Sequence, residues 1–329
     1  MTRKASIVAL GLGLACFASA AWAQSAKPLD KVSMRFGFIA TGNDAIWTYG
    51  IEKGFFKDAG VDLELREGKG SAVTAQTVAA GTDDFGVDID GGTFLSLASK
   101  GLPATAVMAT VAGSPVVVLS ALDKPIKAPS DLPGKQIAIT AGDGPSALFP
   151  VLLQRNKIDP ATVTQINMQP GPKLTSLLTG RVDGVATNIV VQATLEAKGL
   201  KINAMKYSDF GVATPGQYLI VSNATLAAKP DLIKRVVAAM RKSIEATQAD
   251  PVAAADAFNR AYPNYDKATA LAEIKLLIPL FHSAATRDLP AGTVSLDDAK
   301  AGAEALIASG LIAPGTDVSN FVTNKFAAP

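Results

Sequence analysis

From Lys31 onward, the hydrophobic and polar positions switch repeatedly between a two-residue alternation and a helical spacing. Residues 32–38 and 61–65 alternate as strands do, and the apolar runs 85–87 and 104–110 read as further strands. Segments 45–57, 71–80 and 93–99 have helical spacing, with Gly60 and Gly81 as stops after the first two. The pattern restarts after Pro129. Strands are predicted at 135–139, 163–168, 184–186 and 201–205, and helices at 146–154, 173–178 and 189–198. Strands interleaved with helices of this length predict mostly parallel sheets with helices on both faces.

Two longer apolar runs, 115–120 and 217–222, stand at the seams of these blocks, one leading out of the first and the other leading back. After the second, segments 230–247, 251–261, 268–277 and 296–309 read as helices that wrap the first block. One device occurs in both blocks: Gly81-Thr82-Asp83-Asp84 and Gly180-Arg181-Val182-Asp183 each follow a helix and precede a small apolar strand. The repetition predicts an α/β fold of two Rossmann-like lobes, joined by a two-strand hinge and separated by a ligand cleft. Lobe one is expected to comprise 31–116 and 218–329, and lobe two 117–217.

The N-terminus changes what there is to fold. Arg3 and Lys4, the apolar run 7–20 and Ala21-Trp22-Ala23 have the form of a secretory signal peptide, residues 1–23, cleaved after Ala23. Removing 23 of the 329 residues leaves 306, more than one core usually serves. The one cysteine, Cys16, leaves with the signal, so no disulfide is available. The formal charge falls from +2 to zero, because Arg3 and Lys4 go and no acid does. No Lys/Arg cluster remains, which argues against a nucleic-acid partner.

In open parallel sheets, ligands bind beyond the carboxyl ends of the strands. Those ends are rich in glycine, which admits close backbone approach, and several open helices with free N–H groups. The candidate ligand-binding residues are Asn43, Asp44, Trp47, Gly70, Ser71, Asp88 and Asp90 from one lobe. From the other they are Gly142, Asp143, Ser146, Thr187 and Asn188. Trp47 has two readings, stacking on a planar ligand at the cleft or packing between helix and sheet. The aspartates also have two, accepting bonds from a ligand or capping helix N-termini. Arginine is absent from these loops, which disfavours a bidentate grip on an anion, and Lys69 and Lys173 are the only cations there.

Catalytic readings find little support. His282, the one histidine, lies outside these loops, and neither Gly-x-Ser-x-Gly nor a P-loop occurs. Asp88-x-Asp90-Gly91 lacks the rest of a calcium loop, and a chain with no thiol and one histidine is poorly equipped for a transition metal. No catalytic residue, metal or cofactor is expected.

Residues 51–64, Ile51-Glu52-Lys53-Gly54-Phe55-Phe56-Lys57-Asp58-Ala59-Gly60-Val61-Asp62-Leu63-Glu64, resemble a signature of type II periplasmic solute-binding proteins. The branch is that of nitrate, sulfonate, taurine and pyrimidine-precursor binders. The two Gly-x-x-Asp turns, Asp209-Phe210-Gly211-Val212 and Lys229-Pro230-Asp231-Leu232-Ile233-Lys234 are similar to further segments of that branch. The resemblance implies a periplasmic protein that captures a small nutrient and delivers it to an inner-membrane ABC permease. A monomer that closes on its ligand is expected. Four aspartates against two lysines at the cleft favour a small organic molecule with N–H or O–H donors, such as a pyrimidine-like heterocycle. A small anion, such as a sulfonate, taurine, nitrate or an aromatic carboxylate, is the alternative, since helix N-termini can hold one. A second alternative is a pyrimidine-precursor enzyme on the same fold, whose chemistry uses histidines. A third is a protein that hands its ligand to a receptor.

Overall fold

The computed structural model describes residues 28–141 and 143–327. The signal segment 1–23 and the candidate Gly142 lie outside the described residues. In chain order the strands are β1 (Asp30–Phe36), β2 (Val61–Arg66), β3 (Phe85–Asp90), β4 (Ala104–Val111) and β5 (Val116–Ala121). Then come β6 (Gln136–Ile139), β7 (Thr164–Asn167), β8 (Gly184–Asn188), β9 (Ile202–Lys206) and β10 (Gln217–Ser222). They form two five-stranded sheets, ordered β2-β1-β3-β10-β4 and β7-β6-β8-β5-β9. The expected two-lobed α/β architecture is therefore present, each lobe centred on one sheet.

The long seam strands are where parallel pairing stops. β10 runs antiparallel to β3 and β4, and β5 antiparallel to β8 and β9. The reason is where the chain enters. Gln217 opens β10 opposite Asp90 and Val111, the last residues of β3 and β4, and Val116 opens β5 opposite Asn188, the last of β8. A chain arriving from the other lobe enters at the carboxyl edge of the parallel strands and can only run back down the sheet. The crossings themselves are 112–115 and 207–216, tied together where Gly216 N–H donates to the Ala112 carbonyl at 3.3 Å.

The helices are α1 (Ala45–Glu52), α2 (Phe55–Asp58), α3 (Ser71–Ala79), α4 (Gly91–Ser99), α5 (Gly144–Arg155) and α6 (Pro170–Leu178). They continue with α7 (Val191–Ala197), α8 (Asn223–Ala228), α9 (Pro230–Ala249), α10 (Pro251–Ala261), α11 (Lys267–Leu277) and α12 (Leu296–Ala308). The helix expected over 45–57 is two, because Gly54 adopts a left-handed φ of 78° that ends one and starts the next. Helices α9 and α10 pack on α1, whereas α11 reaches α7 and α12 reaches α5, so the C-terminal helices touch both lobes.

The Gly-x-x-Asp device has one structural job, done twice. Gly81 and Gly180 take left-handed φ values of 75° and 68° and close α3 and α6. Three residues on, Asp84 accepts from the Ser33 N–H of β1 at 3.0 Å, and Asp183 accepts from the Gln136 N–H of β6 at 2.8 Å. Each carboxylate thus fastens the start of an inner strand to the parallel strand beside it in its own lobe.

The core is continuous across the lobes. One apolar cluster gathers Met34, Phe36, Trp47, Phe85 and Phe258 around the first sheet, and a second joins Phe94 and Tyr218 of that lobe to Ile137 and Phe149 of the other. Each such fully buried side chain contributes roughly 1.5–3 kcal/mol.

Candidate functional site

Asp88 sits in β3 with φ +57°, a left-handed value that costs a non-glycine residue about 1–2 kcal/mol. There Val87 and Asp88 together face the single Leu219 of β10, between the pairs Gly86–Ile220 and Ile89–Tyr218. The bulge changes which face the strand presents. Phe85 and Val87 belong to the cluster around Trp47, while Ile89, two positions further, belongs to the other cluster. Asp88 is thereby turned onto the Trp47 side. Its Oδ2 accepts from Trp47 Nε1 at 2.8 Å and its Oδ1 from Thr110 Oγ1 at 3.0 Å.

The carboxyl of Asp44 meets Asp88 there. Asp44 follows β1 in a short 3-10 turn, 42–44, and its Oδ2 accepts from Thr41 N–H at 2.8 Å. Burial, with the charge of Asp88, holds the Asp44 carboxyl well above the usual carboxylate range, so it is the proton donor in its hydrogen bond to Asp88. Asp88 is pushed up to about 6 by burial, against the bonds it receives from Trp47, Asp44, Thr110 and Asn43. Asn43 is 6% exposed, and with its amide turned to Asp88 its Oδ1 has no partner.

The remaining candidates of lobe one stand at the next strand ends. Ser71 opens α3 after Gly70, and its Oγ accepts the Asp90 N–H at 3.1 Å. Asp90 caps α4, its Oδ1 accepting from Thr93 N–H at 2.7 Å, while its buried Oδ2 has no partner. Burial raises the affinity of Asp90 for a proton, with Asp143 adding to the effect. Across the cleft, Asp143 caps α5 through Ser146 N–H at 2.7 Å, and its Oδ2 pairs with Lys173 Nζ at 2.9 Å. Ser146 Oγ accepts from Thr140 N–H. The lobes meet at this point, for a Cβ placed on Gly144 would lie 2.3 Å from Asp90 Cγ. Thr187 is buried at the end of β8, and beside it Asn188 carries an Oδ1 without a partner.

Trp47 is fully buried, its ring within the core and only its N–H engaged at the acidic pair. Lys173, which could have been a solvated loop cation, is buried and held by Asp143 and the Ala186 carbonyl. His282 accepts from or donates to nothing in the cleft; its Nδ1 lies 2.9 Å from the Thr286 carbonyl oxygen.

Sequence reasoning missed two groups. The first lines the starts of the antiparallel strands: Ser114, Thr214, Gln217 and Tyr218 each carry a buried side-chain oxygen without a partner. The signal was available in principle, since a seam strand that returns antiparallel brings its first residues to the carboxyl edge of its neighbours. The second is Glu273 on α11, 1% exposed. It accepts from Gly42 N–H at 2.6 Å, from Tyr265 OH at 2.8 Å and from Thr194 Oγ1 of α7 at 3.0 Å, and so bridges the lobes. Burial raises its proton affinity, opposed by these bonds. A lone glutamate in a helix far from any glycine-rich loop offered no sequence signal.

Known proteins share this architecture. The family described as NMT1/THI5 like matches residues 43–254. A riboflavin-binding protein of Chloroflexus aurantiacus is 24% identical over 317 residues, covering 94% of this chain and 89% of that protein. A protein of Brucella abortus named only as a binding protein is also 24% identical, over 276 residues and 83% of both chains. Among solved structures, the alkanesulfonate-binding protein of Xanthomonas axonopodis pv. citri superposes with a TM-score of 0.67 at 14% identity, over 91% of this chain and 99% of that one. The periplasmic nitrate-binding protein of Synechocystis PCC 6803 gives 0.69 at 11% identity, over 91% of this chain and 87% of that one. The fold is that of the periplasmic binding proteins.

Proposed function

The chain belongs to the NMT1/THI5-like family, and from that premise we propose that it is the exported solute-binding component of an ABC importer. In this reading, 31–116 with 218–329 and 117–217 close as two lobes of a monomer on a small organic nutrient. The closed protein then delivers that nutrient to an inner-membrane permease. One observation carries the reading: beside the carboxyl edges of the two sheets lie buried oxygens, on Asn43, Asp90, Thr214, Gln217 and Asn188, that have no hydrogen-bond partner among the described residues. Buried polar groups are ordinarily satisfied, so a set of them at a lobe interface supports a ligand there.

The ligand we infer is donor-rich. The amide and carboxylate oxygens among the unpartnered atoms are acceptors and call for N–H or O–H groups. A simple anion finds less to hold it. The N-termini of α4 and α5 are already capped by Asp90 and Asp143, and Lys173 is engaged by Asp143. The riboflavin-binding relative also favours a planar heterocycle with such donors. The acids lie beside hydroxyls and amides, without a histidine in the cleft, which favours binding over catalysis.

A thermal-shift screen tests this, setting pyrimidines and flavins against taurine, alkanesulfonates, nitrate and aromatic acids. Heterocycles are expected to stabilise the protein and to reduce its radius of gyration in solution scattering. Stabilisation by simple anions alone would overturn the ligand class.

A further inference from the structure

We propose that the solute presents a positively charged, N–H-bearing head group, of amidinium or protonated amino-heterocycle type, to Asp44, Asp88 and Asn43. The proposal rests on the solute-binding reading above and specifies its chemistry.

Lobe one buries Asp44, Asp88, Asp90 and Glu273, and among the described residues none of the four forms an ion pair with a lysine, arginine or histidine. That is unusual, since buried charges are normally paired. Lobe two shows the ordinary solution, with Asp143 held by Lys173. Glu273 is compensated by three donors, and Asp90 in part by its cap. The Asp44–Asp88 pair is left to share a proton.

Asn43 fixes what a ligand must bring. Its amide group can only donate to Asp88, which sets the orientation of the side chain and leaves a buried Oδ1 as acceptor beside the carboxyl pair. An incoming group therefore meets acceptors, and needs at least two N–H donors. A planar N–C–N cation supplies them and brings the charge that Asp88 lacks, in place of the shared proton. Tyr262 stands near Asp44, and the carboxylate of Glu273 acts on Asp44 as well, so the charges acting there are negative. No group of three or more His, Cys, Asp or Glu side chains among the described residues is arranged to hold a metal ion.

The test compares three ring-matched probes on the unchanged protein: benzamidine, benzamide and benzoate, charged positive, neutral and negative. Benzamidine is expected to stabilise the protein in thermal-shift titrations with an apparent affinity at least about tenfold above benzamide, and benzoate to have no effect. Asp88→Asn should erase the preference for benzamidine, and the probe comparison itself needs no variant if this one fails to fold. Equal or better stabilisation by benzamide or benzoate would overturn the charge assignment and leave the solute-binding reading standing. The charge assignment falls in the same way if the wider heterocycle and anion screen finds only neutral or anionic binders. Silence from every compound would overturn both.

Discussion

The two lobes are alike where the sheet makes demands and unlike where a ligand would. Both close a helix with a left-handed glycine and use the aspartate three residues later to fasten neighbouring strands. At the cleft they diverge. Lobe two offsets Asp143 with the buried Lys173 of its own α6, whereas in lobe one none of Asp44, Asp88, Asp90 and Glu273 has an ion-pair partner among the described residues. Even within the clamp the flanking position differs: Asp83 in lobe one takes Arg35 and Arg66, while Val182 in lobe two is simply buried. The recurring parts answer to backbone geometry, which is the same for any sheet of this order. The divergent parts concern charge, which a sheet does not need.

The largest expected effect breaks the view that Trp47 belongs only to the ligand. Its ring is fully buried, so Trp47→Ala should cost about 3–5 kcal/mol in urea unfolding. Trp47→Phe should keep most of the packing and remove the donor to Asp88, at about 1–3 kcal/mol. A marginal loss in the alanine variant would place the ring outside the core.

Next is pH. A carboxyl with raised proton affinity in the folded state stabilises that state while protonated and loses the contribution as pH rises. For Asp88, which titrates at about 6 against an ordinary value of 3.8, the contribution is complete below about pH 4 and gone above about pH 6. The ligand-free protein should therefore lose stability across that window, and Asp88→Asn should flatten the profile by about 1–3 kcal/mol. A wild-type profile that gains stability there, from this site, would mean that lobe one pairs its acids after all.

Smaller effects should be similar in the two lobes, with Asp84 slightly ahead because it also accepts from Ser33 Oγ at 3.3 Å and pairs with the exposed Lys229 at 3.2 Å. Asp84→Ala and Asp183→Ala each remove a charged acceptor from a strand N–H, and each should cost about 1–2 kcal/mol. Costs differing by several-fold would show that the shared motif does different work in each lobe.

How much of this the sequence disclosed follows the same division. Two-residue and helical periodicities located the sheets and most helices, because each element must bury a face, and the glycine stops marked the clamp. The strand end at Val87 was placed early, because a period-two pattern cannot contain a residue at φ +57° that switches faces. Asp44, Asp88, Asp90 and Asp143 were found as strand-end acids and Lys173 as a loop cation, but which acid meets which partner was invisible, since Asp44 meets Asp88 and Asp143 meets Lys173 across separate strand ends. The cleft oxygens of Thr214 and Gln217 were missed because attention to the ends of strands overlooks a strand that begins there.

The smallest effect concerns the one bond by which the unlike lobes share a carboxylate. Thr194 on α7 donates to Glu273 Oε1 at 3.0 Å, while Gly42 and Tyr265 hold the same carboxylate from lobe one. Thr194→Val keeps the shape and removes the only one of these donors that comes from lobe two. Neither sheet loses a bond of its own, and Glu273 keeps two partners, so global stability should change little. The closed arrangement alone loses a hydrogen bond, worth about 0.5–1.5 kcal/mol. On the proposed closure of the lobes around the solute, the loss should appear as an affinity for a stabilising compound weakened about twofold to tenfold, with the radius of gyration of the unliganded protein shifted toward the open value. Tyr265→Phe is the control, for it removes a donor that stays with Glu273 in either state and should affect stability more than affinity. If Thr194→Val lowers stability and leaves affinity and scattering unchanged, the bond belongs to a fixed interface and the lobes do not part at α7 and α11.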